Sequence, residues 1–78
     1  MNIMVLCDSE KQAYDTFFDT IKRVTPIKVN TNRKKIIFQN DVYSFSGQNR
    51  FETCLKETFT GLTISCTQFY QRCRNNGG

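Results

Sequence analysis

The chain has 78 residues, a mass of 9.1 kDa and a formal net charge of +4, enough for one domain and too little for two. Hydrophobic residues make up 38% of the sequence and aromatic residues 13%, which indicates a folded domain and excludes a disordered tail. The longest apolar run, residues 3–6, is far shorter than a membrane-spanning helix requires. No basic-then-apolar leader opens the sequence, so we expect a cytoplasmic protein that does not bind membranes.

The charge is distributed unevenly along the chain. Residues 1–20 have a net charge of −3, residues 21–40 a net charge of +6 with no acidic residue, and residues 41–78 a net charge of +1. A basic segment of this kind can bind phosphates or an acidic protein surface. It can equally be a solvated turn region that keeps a small protein soluble.

The cysteines and the absence of histidine limit the chemistry that the chain can perform. The four cysteines are Cys7, Cys54, Cys66 and Cys73. None forms a CxxC pair, so we expect no zinc site and no other cofactor. In a reducing cytosol we expect free thiols, with Cys73 exposed and the other three in the core. Because the chain has no imidazole base and no phosphate-binding glycine loop, we predict that it is not an enzyme.

The first third of the chain predicts a strand followed by a helix. The apolar run of residues 3–6, which Cys7 continues, is typical of a buried strand. Ser9 and Gln12 form an S-x-x-Q capping box, so we expect a helix over residues 10–24 that ends before Pro26. Its apolar positions recur at spacings of three and four residues and predict the buried face: Ala13, Tyr14, Phe17, Phe18, Ile21 and Val24.

The middle of the chain predicts three strands. Residues 27–29 can form a short strand, and residues 34–39 and 42–46 predict a hairpin that Gly47 closes. Asn40 and Asp41 are the predicted hairpin turn, because Asn and Asp tolerate positive φ better than most residues.

The last third predicts a second helix and a closing strand. Asn49 and Glu52 repeat the capping pattern and predict a helix over residues 50–60, with Phe51, Leu55 and Phe59 buried. Gly61 is predicted to end this helix in a left-handed conformation. The alternation over residues 62–67 predicts a strand, which Phe69 and Tyr70 can extend.

These elements predict an α+β fold. The order β-α-β-β-α-β is the ferredoxin-like order of a small two-layer sandwich, with two helices packed on one face of a four- to five-stranded sheet. The domain is expected over residues 1–74 and a flexible tail over residues 75–78. The second sheet face is then free to bind a partner.

Basic and aromatic residues lie close together in the sequence at the predicted hairpin, where Arg33, Lys34 and Lys35 precede Tyr43 and Phe45. Aromatic side chains on a strand beside cations often hold single-stranded nucleic acid, although Tyr43 and Phe45 can instead face the helices as core. The Gly-Phe-Gly core of the RRM signature is absent. The candidate residues for binding a partner or nucleic acid are Lys28, Arg33, Lys34, Lys35, Tyr43 and Phe45.

Residues 2–70 resemble the middle of the ATPase domain of phage terminase large subunits and related helicase-type motors. The matching stretches are NIMVLCDSEKQAYDTFFDTIKRV, KKIIFQNDVYSFSG and GLTISC. Asn40 matches the Asn of the family's F-x-N-G-S-x-I-x-F hairpin, but Asp41 and Val42 replace its Gly-Ser. Thr67 and Gln68 stand near the expected Walker B acids, and the nucleotide loop would precede residue 1. The resemblance implies a viral or mobile-element source and an α/β layer, without ATPase activity.

Two functions fit these observations. The first is a small non-enzymatic phage or mobile-element protein that binds and inhibits or modulates a larger macromolecular complex, such as host defence, nuclease or replication machinery, in the host cytosol. The alternative is a nucleic-acid-binding module that uses the basic segment 22–35. A steep salt dependence of DNA or RNA binding separates the two.

Overall fold

The computed structural model describes residues 1–77, with side chains described through Arg74. The strands are β1 (Asn2–Cys7), β2 (Lys28–Asn30), β3 (Lys35–Phe38), β4 (Asp41–Gly47) and β5 (Leu62–Ser65). The helices are α1 (Glu10–Arg23), α2 (Gln48–Arg50), which continues into a π-helical turn (Phe51–Leu55), and α3 (Cys66–Gly77). Within residues 1–77, no helix is long and apolar enough to cross a membrane.

The five strands form one mixed sheet in the order β2-β3-β4-β1-β5. β1 is parallel to both of its neighbours, β4 and β5, whereas β2, β3 and β4 form an antiparallel meander. A small fold that mixes helices with a five-stranded sheet is therefore confirmed. The ferredoxin-like order is not observed, because the strand order differs and a third helix follows the last strand.

The core lies between the sheet and two helices, α1 and α3. Four aromatic rings pack edge to face at its centre, with centroid distances of 5.8 Å for Phe17–Phe45, 5.2 Å for Tyr43–Phe69 and 5.1 Å for Phe45–Phe69. The buried core residues are Ile3, Val5, Cys7, Ala13, Phe17, Ile36, Tyr43, Phe45, Ile64 and Phe69. They come from β1, β3, β4, β5, α1 and α3, so one cluster joins most of the elements.

Helix α3 corrects the prediction that Phe69 and Tyr70 extend the last strand. The strand ends at Ser65, whose side-chain oxygen accepts from the backbone N–H of Gln68 at 3.1 Å. The Gln68 side chain accepts in return from the N–H of Ser65 at 2.9 Å. This reciprocal capping box starts the helix. The predicted tail begins within α3, whose backbone is helical to Gly77; Gly78 lies outside the described residues.

The segment that connects β4 to β5, residues 48–61, lies on the sheet face opposite α1 and α3, where it approaches Met4 and Ser44. We call it the crossover segment. Its helical part ends at Leu55, earlier than predicted. Its position follows from the hand of parallel connections. From β1 the chain crosses to the β4 side of the sheet through α1, and from β4 it returns past β1 to β5 through the crossover segment. These two connections run in opposite directions along the sheet. Because both are right-handed, α1 and the crossover segment lie on opposite faces.

Helix α1 has the predicted start but a rotated buried face. The Ser9 side chain caps it by accepting from the N–H of Gln12 at 3.1 Å. Thr16 and Thr20 are buried, whereas Tyr14 and Phe18 are 42% and 41% exposed. The buried threonines keep hydrogen-bond partners: Thr20 Oγ1 donates to the Thr16 carbonyl at 2.7 Å, and Thr16 Oγ1 contacts two cysteine sulfurs. Satisfied hydroxyls can enter a core at little cost.

The β3–β4 turn lies one residue earlier than predicted. Its central residues are Gln39 and Asn40, both with positive φ, at 52° and 68°. Two positive φ values match the twist of a two-residue hairpin. Asp41 is therefore the first residue of β4 and pairs with Phe38. Its carboxylate lies 3.3 Å from the N-terminal ammonium of Met1.

Replacing Gly61 with alanine is expected to lower the free energy of unfolding by about 1–3 kcal/mol. Gly61 has a φ of +147°, outside the predicted left-handed helical region, and an added Cβ would collide with the backbone carbonyl of Asn2. Urea denaturation checks the effect. Thr60→Ala, at the exposed neighbouring position, is the matched control. Equal midpoints for the two variants would contradict this close approach.

Candidate functional site

A cleft of about 540 Å³ opens on the sheet face opposite α1 and α3. We call it the basic cleft. Its floor is formed by β1 and β4, which contribute Met4, Ser44 and Ser46. One wall is the turn before β3, and the other is the crossover segment, with Leu55 and Phe59. The strand alternation explains the polar floor, because Ser44 and Ser46 point away from the core that holds Tyr43 and Phe45.

Three exposed cations line the basic cleft from both walls. Arg33 and Lys35 lie on the first wall and Arg50 on the second. Lys28 pairs with Ile37, so the strand register places Lys28 on the same sheet face as Lys35. Among the side chains that the structure describes, those lining the cleft include no carboxylate. The cleft therefore presents hydroxyl groups, amides and positive charge.

Lys34 also borders the basic cleft, but unlike Arg33 and Lys35 it is buried and paired with a carboxylate. It is 6% exposed, and its Nζ lies 3.1 Å from Oε2 of Glu10 and 4.4 Å from the centroid of the Tyr14 ring. Its φ of 52° lies in the left-handed region. The ammonium thus points towards α1 and holds the turn in place. Of the four predicted basic residues, Lys28, Arg33 and Lys35 are exposed and Lys34 is buried, so Lys34 is not available to a partner.

Tyr43 and Phe45 are core residues rather than stacking residues. They are 3% and 2% exposed, and both rings pack against Phe69. The structure therefore removes them from the predicted binding surface, because a buried ring cannot stack on a base. Phe59, on the opposite face of the sheet, is an aromatic residue that a base can reach. Its ring is half-buried, lines the basic cleft and packs edge to face on Phe51, with 6.1 Å between the ring centroids.

Arg50 and Phe59 are cleft residues that the sequence pattern did not identify. The pattern treats Phe59 as part of a buried helical stripe and Arg50 as the first residue of that helix. The right-handedness of the two parallel connections could have identified these residues, because it places the crossover segment on the sheet face away from α1. That step requires knowing which strands are neighbours.

Glu10 connects two elements that border the basic cleft, the end of β4 and the turn before β3. Its Oε1 accepts from the N–H of Gly47 at 2.6 Å, and its Oε2 lies 3.1 Å from Lys34 Nζ. Partial burial opposes ionisation of this carboxyl, but the Gly47 N–H and the Lys34 ammonium outweigh it and lower the pKa of Glu10. The carboxylate thus fixes the end of β4 against the turn that precedes β3.

Replacing Glu10 with glutamine is expected to lower the free energy of unfolding at pH 7 by about 1–3 kcal/mol, because Lys34 then loses its charged partner. A lowered folded-state pKa stabilises the protein above the unfolded-state pKa of the carboxyl, and this contribution is lost as pH falls through the folded-state pKa. The difference between wild type and Glu10→Gln should therefore shrink in acid. Urea denaturation of both proteins between about pH 3 and pH 7, the range over which carboxyl groups titrate, measures this difference in stability.

Asp15→Asn is the matched control for this experiment, because Asp15 is exposed on the same helix. It should leave the free energy of unfolding at pH 7 close to the wild-type value. A stability loss for Glu10→Gln that is the same at every pH would contradict the assigned charge pairing.

Searches against protein-family models, curated proteins and solved structures find no match to the chain. The functional argument therefore depends on the geometry of the basic cleft and on its charge.

Proposed function

We propose that the chain is a non-enzymatic binding protein whose basic cleft holds a segment of single-stranded nucleic acid. The observation that carries this proposal is the placement of Arg33, Lys35 and Arg50 on the two walls of one cleft, where no described side chain in the lining is a carboxylate. Cations that flank a groove attract a phosphate backbone, which is how most proteins without sequence preference hold single strands.

The cleft suits an extended polyanion better than one small anion. The cations are spread over two walls, and Lys28 extends the positive charge along the same sheet face towards the β2 edge. A single phosphate is usually held by groups that converge on one point, such as several backbone N–H groups. A chain of phosphates can contact dispersed cations in turn. Many duplex-binding proteins insert a protruding helix into the major groove, and a concave cleft cannot bind DNA in this way. A single strand therefore fits the cleft best.

The apolar side chains of the cleft supply the second part of a single-strand site. Phe59 and Leu55 line the wall opposite Arg33, so a base can contact the Phe59 ring while its phosphate faces the cations. Stacking on an aromatic ring contributes about 1–3 kcal/mol per base. The Ser44 hydroxyl on the floor can hydrogen-bond to sugar or phosphate, whereas the Ser46 hydroxyl is already held by Glu10 and the Gly47 carbonyl.

Fluorescence anisotropy with labelled oligonucleotides tests the proposal. Single-stranded DNA and RNA of mixed sequence are titrated with protein at several salt concentrations, beside a duplex of the same length. The logarithm of the binding constant should fall linearly with the logarithm of salt concentration, with single strands bound more tightly than the duplex. Absence of binding to every oligonucleotide at low salt would refute the proposal.

The second candidate function is binding to a larger protein complex, of the kind that phage inhibitors of host machinery target. The observation that favours it is the outer edge of the sheet. Ile27 and Val29 are 75% and 41% exposed at β2, which pairs on one side only. An extended segment of a partner can add to such an edge as a further strand. The resemblance to terminases fits a viral or mobile-element source for either function.

Affinity capture from cells of a candidate host tests this second function. Proteins retained by the wild-type chain are compared with those retained by an Ile27→Lys/Val29→Lys variant, in which charge opposes pairing at the edge. A partner that is lost with this variant but retained by a basic-cleft variant supports edge binding. A partner that is released by nuclease treatment instead supports the nucleic-acid function.

A further inference from the structure

Two cysteines meet at the carboxyl ends of adjacent parallel strands. Cys7 is the last residue of β1, and Cys66 directly follows β5 as the first residue of α3. The preceding residues, Leu6 and Ser65, are register partners. Both sulfurs contact Thr16 Oγ1, Cys7 Sγ at 3.9 Å and Cys66 Sγ at 3.5 Å.

We propose that Cys7 and Cys66 form a reversible disulfide bond, which makes this pair an oxidation site for low-molecular-weight disulfides such as oxidised glutathione. Cys7 and Cys66 each directly follow a residue of the last register pair, Leu6 and Ser65, and adjacent strands lie about 4.8 Å apart, which is within the range of Cα separations that a disulfide bond spans. Both sulfurs contact the same hydroxyl oxygen, which places the two thiols on the same face of the sheet. In a reducing compartment such a bond forms transiently.

The reaction proceeds by two thiol–disulfide exchanges. The Cys66 thiolate attacks one sulfur of oxidised glutathione, the oxidant's S–S bond breaks, and one glutathione leaves as a thiol. The Cys7 thiolate then attacks the Cys66 sulfur of the mixed disulfide, the new S–S bond forms, and the second glutathione leaves. Two electrons and the two thiol protons pass from the protein to the oxidant, which becomes two molecules of glutathione.

The order of attack follows from exposure. Cys66 is half-buried, whereas Cys7 is 2% exposed. Burial also raises the pKa of the Cys7 thiol to about 11, which disfavours the thiolate needed for attack on an oxidant from solution. Cys7 needs no access to solvent in the second step, because its target, Cys66, then lies at the end of the adjacent strand. The charge of the Cys66 thiolate, which also raises the pKa of Cys7, is absent once Cys66 is part of the mixed disulfide.

The other two cysteines are placed differently and serve as internal controls. Cys54 is exposed on the π-helical turn of the crossover segment, which corrects its predicted place in the core. Cys73, predicted to be exposed, is half-buried against the core. It lies two turns along α3 from Cys66, about 10 Å by the helical rise and too far for a direct bond.

Equilibration of the full chain in buffers of oxidised and reduced glutathione, followed by acid quenching and peptide mapping by mass spectrometry, tests the proposal. We expect a Cys7–Cys66 cross-linked peptide that has lost two thiol hydrogens, and only a glutathione adduct at Cys54. The cross-link should raise the Tm by roughly 10 °C, because it closes a long loop, and reduction should reverse the shift.

A Cys54→Ser/Cys73→Ala variant should keep the cross-link and the Tm shift, whereas Cys66→Ser should lose both. Because mapping of the wild-type chain is sufficient by itself, a variant that fails to fold does not decide the result. A persistent glutathione adduct at Cys66 with Cys7 still reduced, or a cross-link between any other pair in the native protein, would overturn the proposal.

Discussion

Replacing Phe69 with alanine is expected to lower the free energy of unfolding by about 3–5 kcal/mol. The Phe69 ring is 1% exposed and packs edge to face on the rings of Tyr43 at 5.2 Å and Phe45 at 5.1 Å. Its removal leaves a cavity between α3 and the centre of the sheet, and in a domain of this size little other apolar area can compensate. Urea denaturation followed by circular dichroism measures the change.

Tyr70→Ala is the matched control, since it removes a ring of similar size from the next position on the same helix. The Tyr70 side chain is 36% exposed, and its hydroxyl lies 3.3 Å from Oδ2 of Asp19 at the surface. Its replacement should cost about 1 kcal/mol or less. Similar losses for the two variants would show that α3 does not cover the sheet through Phe69.

The importance of Phe69 shows why α3 is difficult to predict from the sequence. The same S-x-x-Q pattern that marks the start of α1 at Ser9 also occurs at Ser65, where it caps α3. Around Ser65, however, the alternation of apolar and polar residues runs on to Thr67. Two local signals therefore compete, and the capping interaction outweighs the strand pattern because the helix can then bury Phe69.

The buried face of α1 shows a second limit of the sequence pattern. Apolar spacing places Tyr14 and Phe18 in the core, but the helix turns Thr16 and Thr20 inward instead. In this orientation the Thr16 hydroxyl makes a long-range contact with the Cys7 and Cys66 sulfurs at the ends of two strands. Hydrophobic periodicity cannot report such a contact, because it scores threonine as polar without regard to its partners.

The candidate site was predictable in part. The basic segment indicates Arg33 and Lys35, and the structure places both as exposed residues at the cleft, because a turn between polar residues is exposed in most folds. Lys34 stands between them yet is buried, since its positive φ directs it towards Glu10. Arg50 joins the cleft from a different part of the chain, through a connection whose face depends on the sheet order. Local charge patterns carry no such information.

Replacing Arg33, Lys35 and Arg50 together with glutamine is expected to weaken binding of single-stranded nucleic acid roughly 100-fold near 0.1 M salt. Each cation that contacts a phosphate releases a counterion, so three lost contacts should lower the salt slope by about two to three. Anisotropy titrations at four or more salt concentrations give both quantities. Lys34 is left unchanged because its ion pair with Glu10 supports the fold.

The matched control replaces Lys11, Lys22 and Arg74 with glutamine. These residues are exposed on α1 and α3, on the other side of the sheet, and their loss lowers the formal net charge of +4 by the same three units. If binding depends on the basic cleft, the control should keep most of its affinity and its salt slope. If both variants weaken binding equally, net charge rather than the cleft attracts the nucleic acid. A Phe59→Ala variant then separates the two explanations: stacking in the cleft predicts weaker binding at every salt concentration with an unchanged slope, whereas attraction by net charge predicts wild-type binding.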